Sequence, residues 1–341
     1  MSEINQTNSS KEKPTLVITT GDEAGIGPEI ILKALFYKKL TENNNFIIVG
    51  NKKNLESTFT SLKSIGIKNI VDPELLNIKD LKVSNFDIKE PSKESGSASF
   101  FYLKHAIEIV KQLPNSALVT GPICKKSWSL AGHQYSGQTE LLSETFNTQN
   151  VGMLFTAKSP YTGWRFNTLL ATTHIPIKEI SNALSENLIN SKLDLLFTFC
   201  KKFKKSPSIY VAGLNPHAGE EGVLGLEEVN LIKNTLNNWN IKNPLANISG
   251  PLSPDSCWVS SAKAWREEDK TANDGILAMY HDQGLIPVKI ITLNYSVNTT
   301  IGLPIIRTSP DHGTGFDIAG KGLAQSQSMS EAIKTAIELI N

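Results

Sequence analysis

Three histidines each follow a short apolar run of strand length. His281 ends Asp274-Gly275-Ile276-Leu277-Ala278-Met279-Tyr280, and His174 ends Thr168-Leu169-Leu170-Ala171-Thr172-Thr173. His217 follows Ser208-Ile209-Tyr210-Val211-Ala212-Gly213-Leu214 after Asn215-Pro216. The chain has six histidines, so half of them stand in one kind of place. Three neutral imidazoles with an open coordination position are a standard catalytic set for a divalent cation. One such histidine alone reads better as a strand cap bonded to a nearby carbonyl. Three together point to a shared metal site. Asp282 follows His281 directly, and Gly284 is expected to turn the chain there. Asp255, in a Pro-rich loop after Asn247-Ile248-Ser249-Gly250, is a further acidic candidate for that neighbourhood.

A second group of residues suits an anion. Lys289 lies inside Ile286-Pro287-Val288-Lys289-Ile290-Ile291. A buried lysine is costly unless it meets an anion, so Lys289 is expected to bind phosphate or carboxylate, the alternative being a snorkelling surface lysine. Arg307 suits bidentate binding of the same groups. It and Asn298 are expected at loop and strand-end positions. Ser136-Gly137-Gln138-Thr139-Glu140 opens a helix whose free N–H groups and Thr139 hydroxyl fit phosphate; a plain Thr139 helix cap competes. Lys125 and Lys126 stand at a helix start, an unusual place for cations, and solvent exposure is the favoured reading.

These residues need strands and helices to carry them, and the chain supplies both in alternation. Pro14 to Thr20 reads as a first strand. It enters Gly21-Asp22-Glu23-Ala24-Gly25-Ile26-Gly27, and Pro28-Glu29 then starts a helix. That join is either a ligand cradle or a tight connection. The dinucleotide fingerprint needs a third glycine three residues after the second, and position 30 is Ile. Strands are expected at 46–50 and 117–122, and helices at 54–65, 97–112, 177–203, 222–239 and 330–340. His105 on the 97–112 helix reads as a surface or packing residue. Thr308 to Gly322 is dense in glycine and polar groups, enough to wrap a cofactor. Alternating strands and helices give an α/β fold.

Composition bounds the function. The chain has 341 residues, 40% hydrophobic and 20% charged, with a formal net charge of +1. No broad field draws it to nucleic acid or anionic lipid, and no apolar segment reaches membrane-spanning length. Residues 1–13 are polar and without an apolar signal core, so a disordered tail and a cytoplasmic location are expected. Three separated cysteines, Cys124, Cys200 and Cys257, argue against a disulfide framework.

The stretches Gly21 to Glu29, Gly137 to Glu140, Ala171 to Pro176, Gly213 to Gly219, Tyr280 to Lys289 and Gly302 to Gly322 together resemble one family, the 4-hydroxythreonine-4-phosphate dehydrogenases of pyridoxal phosphate biosynthesis. The blocks stand in family order over nearly the whole chain. The last also looks like the cofactor loop of isocitrate and isopropylmalate dehydrogenases. The resemblance implies their non-Rossmann fold of two α/β/α domains around a cleft. The expected division is 14–135 plus 300–341, and 136–299 with the metal site and dimer interface.

The resemblance further implies that His174, His217 and His281 bind a divalent cation (Zn, Mg or Co), with the third ligand from the partner of a homodimer with shared active sites. It assigns substrate binding to Gln138, Thr139, Lys289, Asn298 and Arg307, and catalytic or near-metal roles to Asp255, Asp282 and Lys289. Gly313, Asp317 and Gly320 are expected to bind NAD or NADP. The implied reaction oxidises the secondary alcohol of a small phosphorylated substrate to a β-keto acid, which then loses CO2. The rivals are a paralogue acting on a phospho-threonate or phospho-erythronate, a metal-dependent hydrolase, and a non-catalytic phosphometabolite-binding protein. The chain departs from the family at Gln138, usually His, at Glu23, usually Pro, and in extra sequence between Asp255 and His281.

Overall fold

The computed structural model describes residues 13–83, 89–269 and 271–341, apart from the side chains of residues 38 and 39. The tail expected over residues 1–13 lies outside them except for Lys13. Eleven strands form one sheet: β1 Thr15–Thr19, β2 Asn45–Gly50, β3 Ile78–Asp80, β4 Ser116–Thr120, β5 Gly152–Lys158, β6 Arg165–Leu170, β7 Ser208–Ala212, β8 Asn247–Leu252, β9 Gly275–Ala278, β10 Val297–Ile301 and β11 Ile306–Pro310. Their order is β3-β2-β1-β4-β11-β10-β5-β6-β9-β7-β8.

Pairing directions divide this sheet into two sets. β3, β2, β1, β4 and β11 run parallel to one another. β6, β9, β7 and β8 are also mutually parallel. The two antiparallel steps β11–β10–β5 and the antiparallel β5–β6 pair reverse the second set relative to the first. Parallel strands buried on both faces read as continuous apolar runs. β1 shows why: Leu16 and Ile18 enter one core, Val17 the opposite one.

Helices cover both faces in both halves. In the first half α1 (Gly27–Ala34), the short α2 (Lys38–Thr41), α3 (Lys52–Ser64) and α12 (Gln327–Ile340) lie on one side, where Ile30, Leu55, Met329 and Ile333 meet Leu16 and Ile18. α4 (Lys93–Gln112), α5 (Lys125–Leu130) and α6 (Gln138–Thr145) lie on the other, with Tyr102, Leu103, Trp128 and Leu142 against Val17 and Leu118. In the second half α7 (Ile180–Ala183), α8 (Glu186–Cys200) and α9 (Lys233–Lys242) bury Leu193, Leu196 and Leu236 against Leu169, Leu277 and Ile209. α10 (Val259–Arg266) and α11 (His281–Thr292) bury Trp265, Leu285 and Val288 against Phe166, Leu170 and Ile276. Each such side chain contributes roughly 1.5–3 kcal/mol on leaving water. Three helices start with a side-chain cap: Asn51 Oδ1 accepts from Asn54 N, Ser92 Oγ from Ser95 N and Ser185 Oγ from Leu188 N, each worth about 1 kcal/mol.

The structure corrects several local expectations. Gly284 does not turn the chain; it lies inside α11. A Cβ there would stand 2.5 Å from Leu170 Cδ2, so glycine is what lets this helix lie close on β6. Lys289 is on the same helix with about half its side chain exposed, not buried. Its Nζ meets Asp311, donating to the backbone carbonyl at 3.4 Å. Asn298 and Arg307 are within β10 and β11 rather than in loops. Helix is absent from 223–226, and a π turn at Glu228–Ile232 leads into α9. The segment between Asp255 and His281 forms α10, whose Trp265 is core.

Candidate active site

Side-chain alternation along the central strands builds the floor of a cleft. Residues two apart on a strand share a face, and Met153 and Phe155 on β5, Asn298 on β10, and Arg307 and Ser309 on β11 all line one cavity of about 450 Å3. Register brings them together, since Asn298 pairs with Phe155 and Ser309, and Thr300 with Met153 and Arg307. One wall is Gly121, Lys125 and residues 136–140 at the start of α6. The other is His281, Leu285 and Lys289 of α11. His174 completes that side, and Asp311, His312 and Gly313 close an end.

Within this cleft, Arg307 has the most demanding environment. Its side chain is 3% exposed. One terminal nitrogen donates to Thr300 Oγ1 at 3.0 Å and the other to Thr120 Oγ1 at 2.7 Å. Neither partner is charged, and Nε has no partner among the described residues. Burial pushes the guanidinium down to about 10, partly offset by the field of Glu140. A buried cation with an open donor is a site waiting for an anion. Other residues lining the same cleft carry buried acceptors. Gln138 Oε1 and Asn298 Oδ1 are buried and unpartnered among the described residues, as is His312 Nε2. Gln138, expected to bind substrate, has its Nε2 donating to Gly121 O at 3.1 Å. Lys289 Nζ lies 3.5 Å from Asp311 Oδ2, and Asp311 also accepts from Ser296 Oγ.

β6, β9 and β7 are adjacent and parallel, so His174, His281 and His217 follow their carboxyl ends at one edge of the sheet. His174 and His281 form a pair with ring centroids 5.4 Å apart. Thr172 N and Oγ1 both donate to Met279 O, which ties the two histidine loops together. Gln283, 8% exposed, continues the stitching: its Oε1 accepts from Met279 N at 2.6 Å and its Nε2 donates to Gly213 O at 2.7 Å. His217 stands apart on a mostly exposed turn and does not line the cleft. Among the described residues of one chain, no three His, Cys, Asp or Glu side chains gather as a cation-holding group.

The imidazoles nonetheless fit a cation. His281 Nδ1 is 2.6 Å from Asp282 Oδ1, and His217 Nδ1 is 2.6 Å from Glu220 Oε1. A carboxylate on Nδ1 fixes the tautomer and leaves Nε2 as a ligand, the usual outer arrangement around metal-bound histidine. His174 is held below its ordinary value by burial, then by Lys125 and His281, which favours the neutral form a metal needs. Asp282 borders a smaller cavity of about 170 Å3 on the other side of the histidine pair. Asp255 is exposed and accepts from Ser253 Oγ at 2.5 Å; the field of His217 reaches it.

His217 is carried on an unusual backbone. His217, Ala218, Gly219, Glu220 and Glu221 are all left-handed, with φ between 43° and 79°. The hand costs roughly 1–2 kcal/mol for each residue with a Cβ, so this turn stores strain that its surroundings must hold.

The remaining candidates sit as follows. Thr139 is in the first turn of α6 and lines the cleft, while Asp317 and Gly320 lie on the exposed outer side of the 312–326 loop. Gly21 and Asp22 do not line the cleft. Asp22 is fully buried, donates its N–H to Pro122 O and has its carboxyl pushed up by that burial. Lys125, Glu140, Asp311 and His312 border the cleft without having been singled out for it. Their signals in the sequence were the unusual placement of Lys125 at a helix start, the helix opening at Ser136 to Glu140 and the glycine-rich stretch Thr308 to Gly322. Cys200 is in the core, and burial pushes its thiol up.

A model of the family described as "Pyridoxal phosphate biosynthetic protein PdxA" matches residues 42–336. A protein of Synechocystis sp. named 4-hydroxythreonine-4-phosphate dehydrogenase is 45% identical over 96% of this chain and 96% of its own. One of the same name from a Synechococcus sp. is 46% identical over 95% and 99%. The crystal structure of 4-hydroxythreonine-4-phosphate dehydrogenase from Klebsiella pneumoniae superposes with a TM-score of 0.79 at 30% identity, covering 97% of this chain and 100% of that one.

Proposed function

The chain belongs to the PdxA family of pyridoxal phosphate biosynthetic proteins, and on that premise we propose that it is a 4-hydroxythreonine-4-phosphate dehydrogenase. The observation that carries this reading is the buried Arg307, its Nε without a partner among the described residues, in the same cleft as the His174–His281 pair. An anion pole and a cation-holding pole on one small cavity suit a phosphorylated substrate with a hydroxyl to be oxidised.

The residues then take distinct parts. Arg307 receives the phosphate, helped by Lys289 and by the Thr139 hydroxyl and free N–H groups at the start of α6. That remote contact supplies binding energy that orients the reacting carbon. His174 and His281 from one subunit, with His217 from the partner in a homodimer, would hold a divalent cation. When bound, the cation would lower the pKa of the substrate hydroxyl and steady the charge left by CO2 loss, and NAD or NADP would accept the hydride. Asp282 orients His281 through Nδ1. Gly313, Asp317 and Gly320 are proposed for the nicotinamide cofactor. The homodimer is supported by His217 lying on an exposed turn, away from the cleft of its own chain, and by exposed apolar residues on and just after α11: Ile286, Ile290 and Leu293. A cytoplasmic location belongs to the same reading; among the described residues no helix is long and apolar enough to cross a membrane.

The deciding assay supplies 4-phosphohydroxy-L-threonine, NAD or NADP, and Zn2+, Mg2+ or Co2+, and follows reduced nicotinamide and released CO2. Formation of both is expected. Substrate consumption without nicotinamide reduction would place the enzyme among metal hydrolases. Turnover confined to a phospho-threonate or phospho-erythronate would assign it to the paralogous reaction. Binding without turnover would make it a phosphometabolite-binding protein.

A further inference from the structure

The left-handed turn at 217–221 needs something to hold it, and a single carboxylate does so at its entrance. Glu228 is 2% exposed. Its Oε1 accepts the N–H groups of Leu214 and Asn215, both at 2.7 Å, and its Oε2 accepts Asn215 Nδ2 at 2.9 Å. All three donors belong to one dipeptide, the one that joins the end of β7 to the turn. Asn215 passes the constraint on, because its carbonyl accepts Ala218 N–H at 3.1 Å. The preceding residue, Glu227, takes the same Asn215 Nδ2 at 2.7 Å and the Ser181 hydroxyl at 2.7 Å. Glu228 also opens the π turn before α9, a local widening that recurs at functional sites.

We propose that Glu228 is the positioning residue of the His217 arm. It clamps the start of the left-handed turn and so sets the direction in which His217 Nε2 is offered to a cation, while Glu220 fixes the ring itself through Nδ1. The proposal rests on the reading of His217 as a metal ligand. It assigns the strained backbone a purpose: a short histidine arm is rigid before any cation arrives, so little ordering remains to be done on binding.

The test uses the full chain and Zn2+ alone as the probe. Wild type, Glu228→Gln, Glu228→Ala and His217→Ala are titrated calorimetrically, with amide exchange followed in parallel. Glutamine keeps an acceptor for the Leu214 and Asn215 N–H groups, so it is the conservative rescue. Glu228→Ala is expected to weaken Zn2+ binding ten- to hundredfold and to speed exchange at 214–224 alone. Glu228→Gln should recover most of both. Wild-type affinity in Glu228→Ala, with His217→Ala weakened, overturns the positioning role and leaves His217 as a ligand. Wild-type affinity in His217→Ala overturns the metal reading beneath it. Equal loss in both Glu228 variants, with amide protection collapsing throughout the second half, shows a residue needed for folding and also overturns the proposal.

Discussion

The Gln138 side-chain amide is locked by the Gly121 carbonyl. A carbonyl cannot face a carbonyl, so the 3.1 Å contact sets Nε2 toward Gly121 and leaves Oε1 buried and unpartnered among the described residues. That oxygen is a buried acceptor, which a ligand hydroxyl or ammonium satisfies better than a phosphate oxygen.

Gln138→Glu should disturb that contact, because both oxygens of the new side chain are acceptors. The expected cost is about 1–3 kcal/mol, read as a ten- to hundredfold rise in KM with a smaller change in kcat. Initial-rate kinetics decide it. An unchanged KM removes Gln138 from the ligand's surroundings.

Arg307→Met separates binding from stability. Removing a buried cation that lacks a carboxylate partner should leave Tm close to wild type or raise it. Binding of the phosphorylated substrate should fall by roughly 1.5–3 kcal/mol, the range for a charged hydrogen bond. Thermal unfolding with and without inorganic phosphate, beside KM, shows both. A large Tm loss with unaltered KM would make Arg307 structural.

Glu23 predicts a pH dependence of stability. Its carboxyl is buried, and burial pushes it above its ordinary value of 4.5, against donors from Asn51, Asn54, Thr20 and Tyr102. The folded protein therefore holds this proton more tightly than the unfolded chain. The stabilisation is complete below about pH 4.5 and is lost as pH rises through the raised folded value. Glu23→Gln should flatten that part of the Tm–pH curve. An identical slope in both proteins would show that Glu23 does not carry it.

His281→Ala should abolish turnover and weaken binding of Zn2+ or Co2+ while leaving the circular dichroism spectrum unchanged, since the side chain lies at the rim of the sheet. In wild type, saturating metal at a hundred times its Kd should stabilise by about 2.7 kcal/mol, and a chelator should reverse the gain. Full activity in the variant would remove the metal role.

Ile290→Asp tests the shared site. Ile290 is 70% exposed on α11 beside Ile286 and Leu293, so the substitution costs an isolated subunit little. If two subunits meet through this face, sedimentation shows monomers and activity falls together with dimer content. A dimer that persists with full activity places the contact elsewhere.

The strands that deliver the histidines were readable because buried parallel strands announce themselves as apolar runs ending at polar rims. The same logic failed for the cleft floor. Asn298 was expected at a loop or strand-end position, yet it lies in β10, a central strand, and lines the cleft. Met153 to Lys158 went unrecognised as a strand, and with it the antiparallel middle of the sheet. Gly284 misled because glycine marks a turn in sequence, whereas here it permits a close helix–strand approach. The partner of Gln138 and the hand of the turn at His217 depend on tertiary contacts that no local pattern encodes.

The chain visits the first half of the sheet, leaves for the second, and returns at the end. β11 sits between β4 and β10, and α12 supplies Met329, Ala332, Ile333 and Ala336 to the core around Leu16 and Ile18. Residues made first therefore wait for residues made last. While the chain emerges from a ribosome, the face of the opening strands beside α1 and α3 stays only partly covered until residues 306–340 arrive, whereas β6 to β9 and their helices are already complete. The middle of this protein is placed to fold before its beginning, and a stalled or shortened chain would leave the early strands as its sticky, aggregation-prone portion.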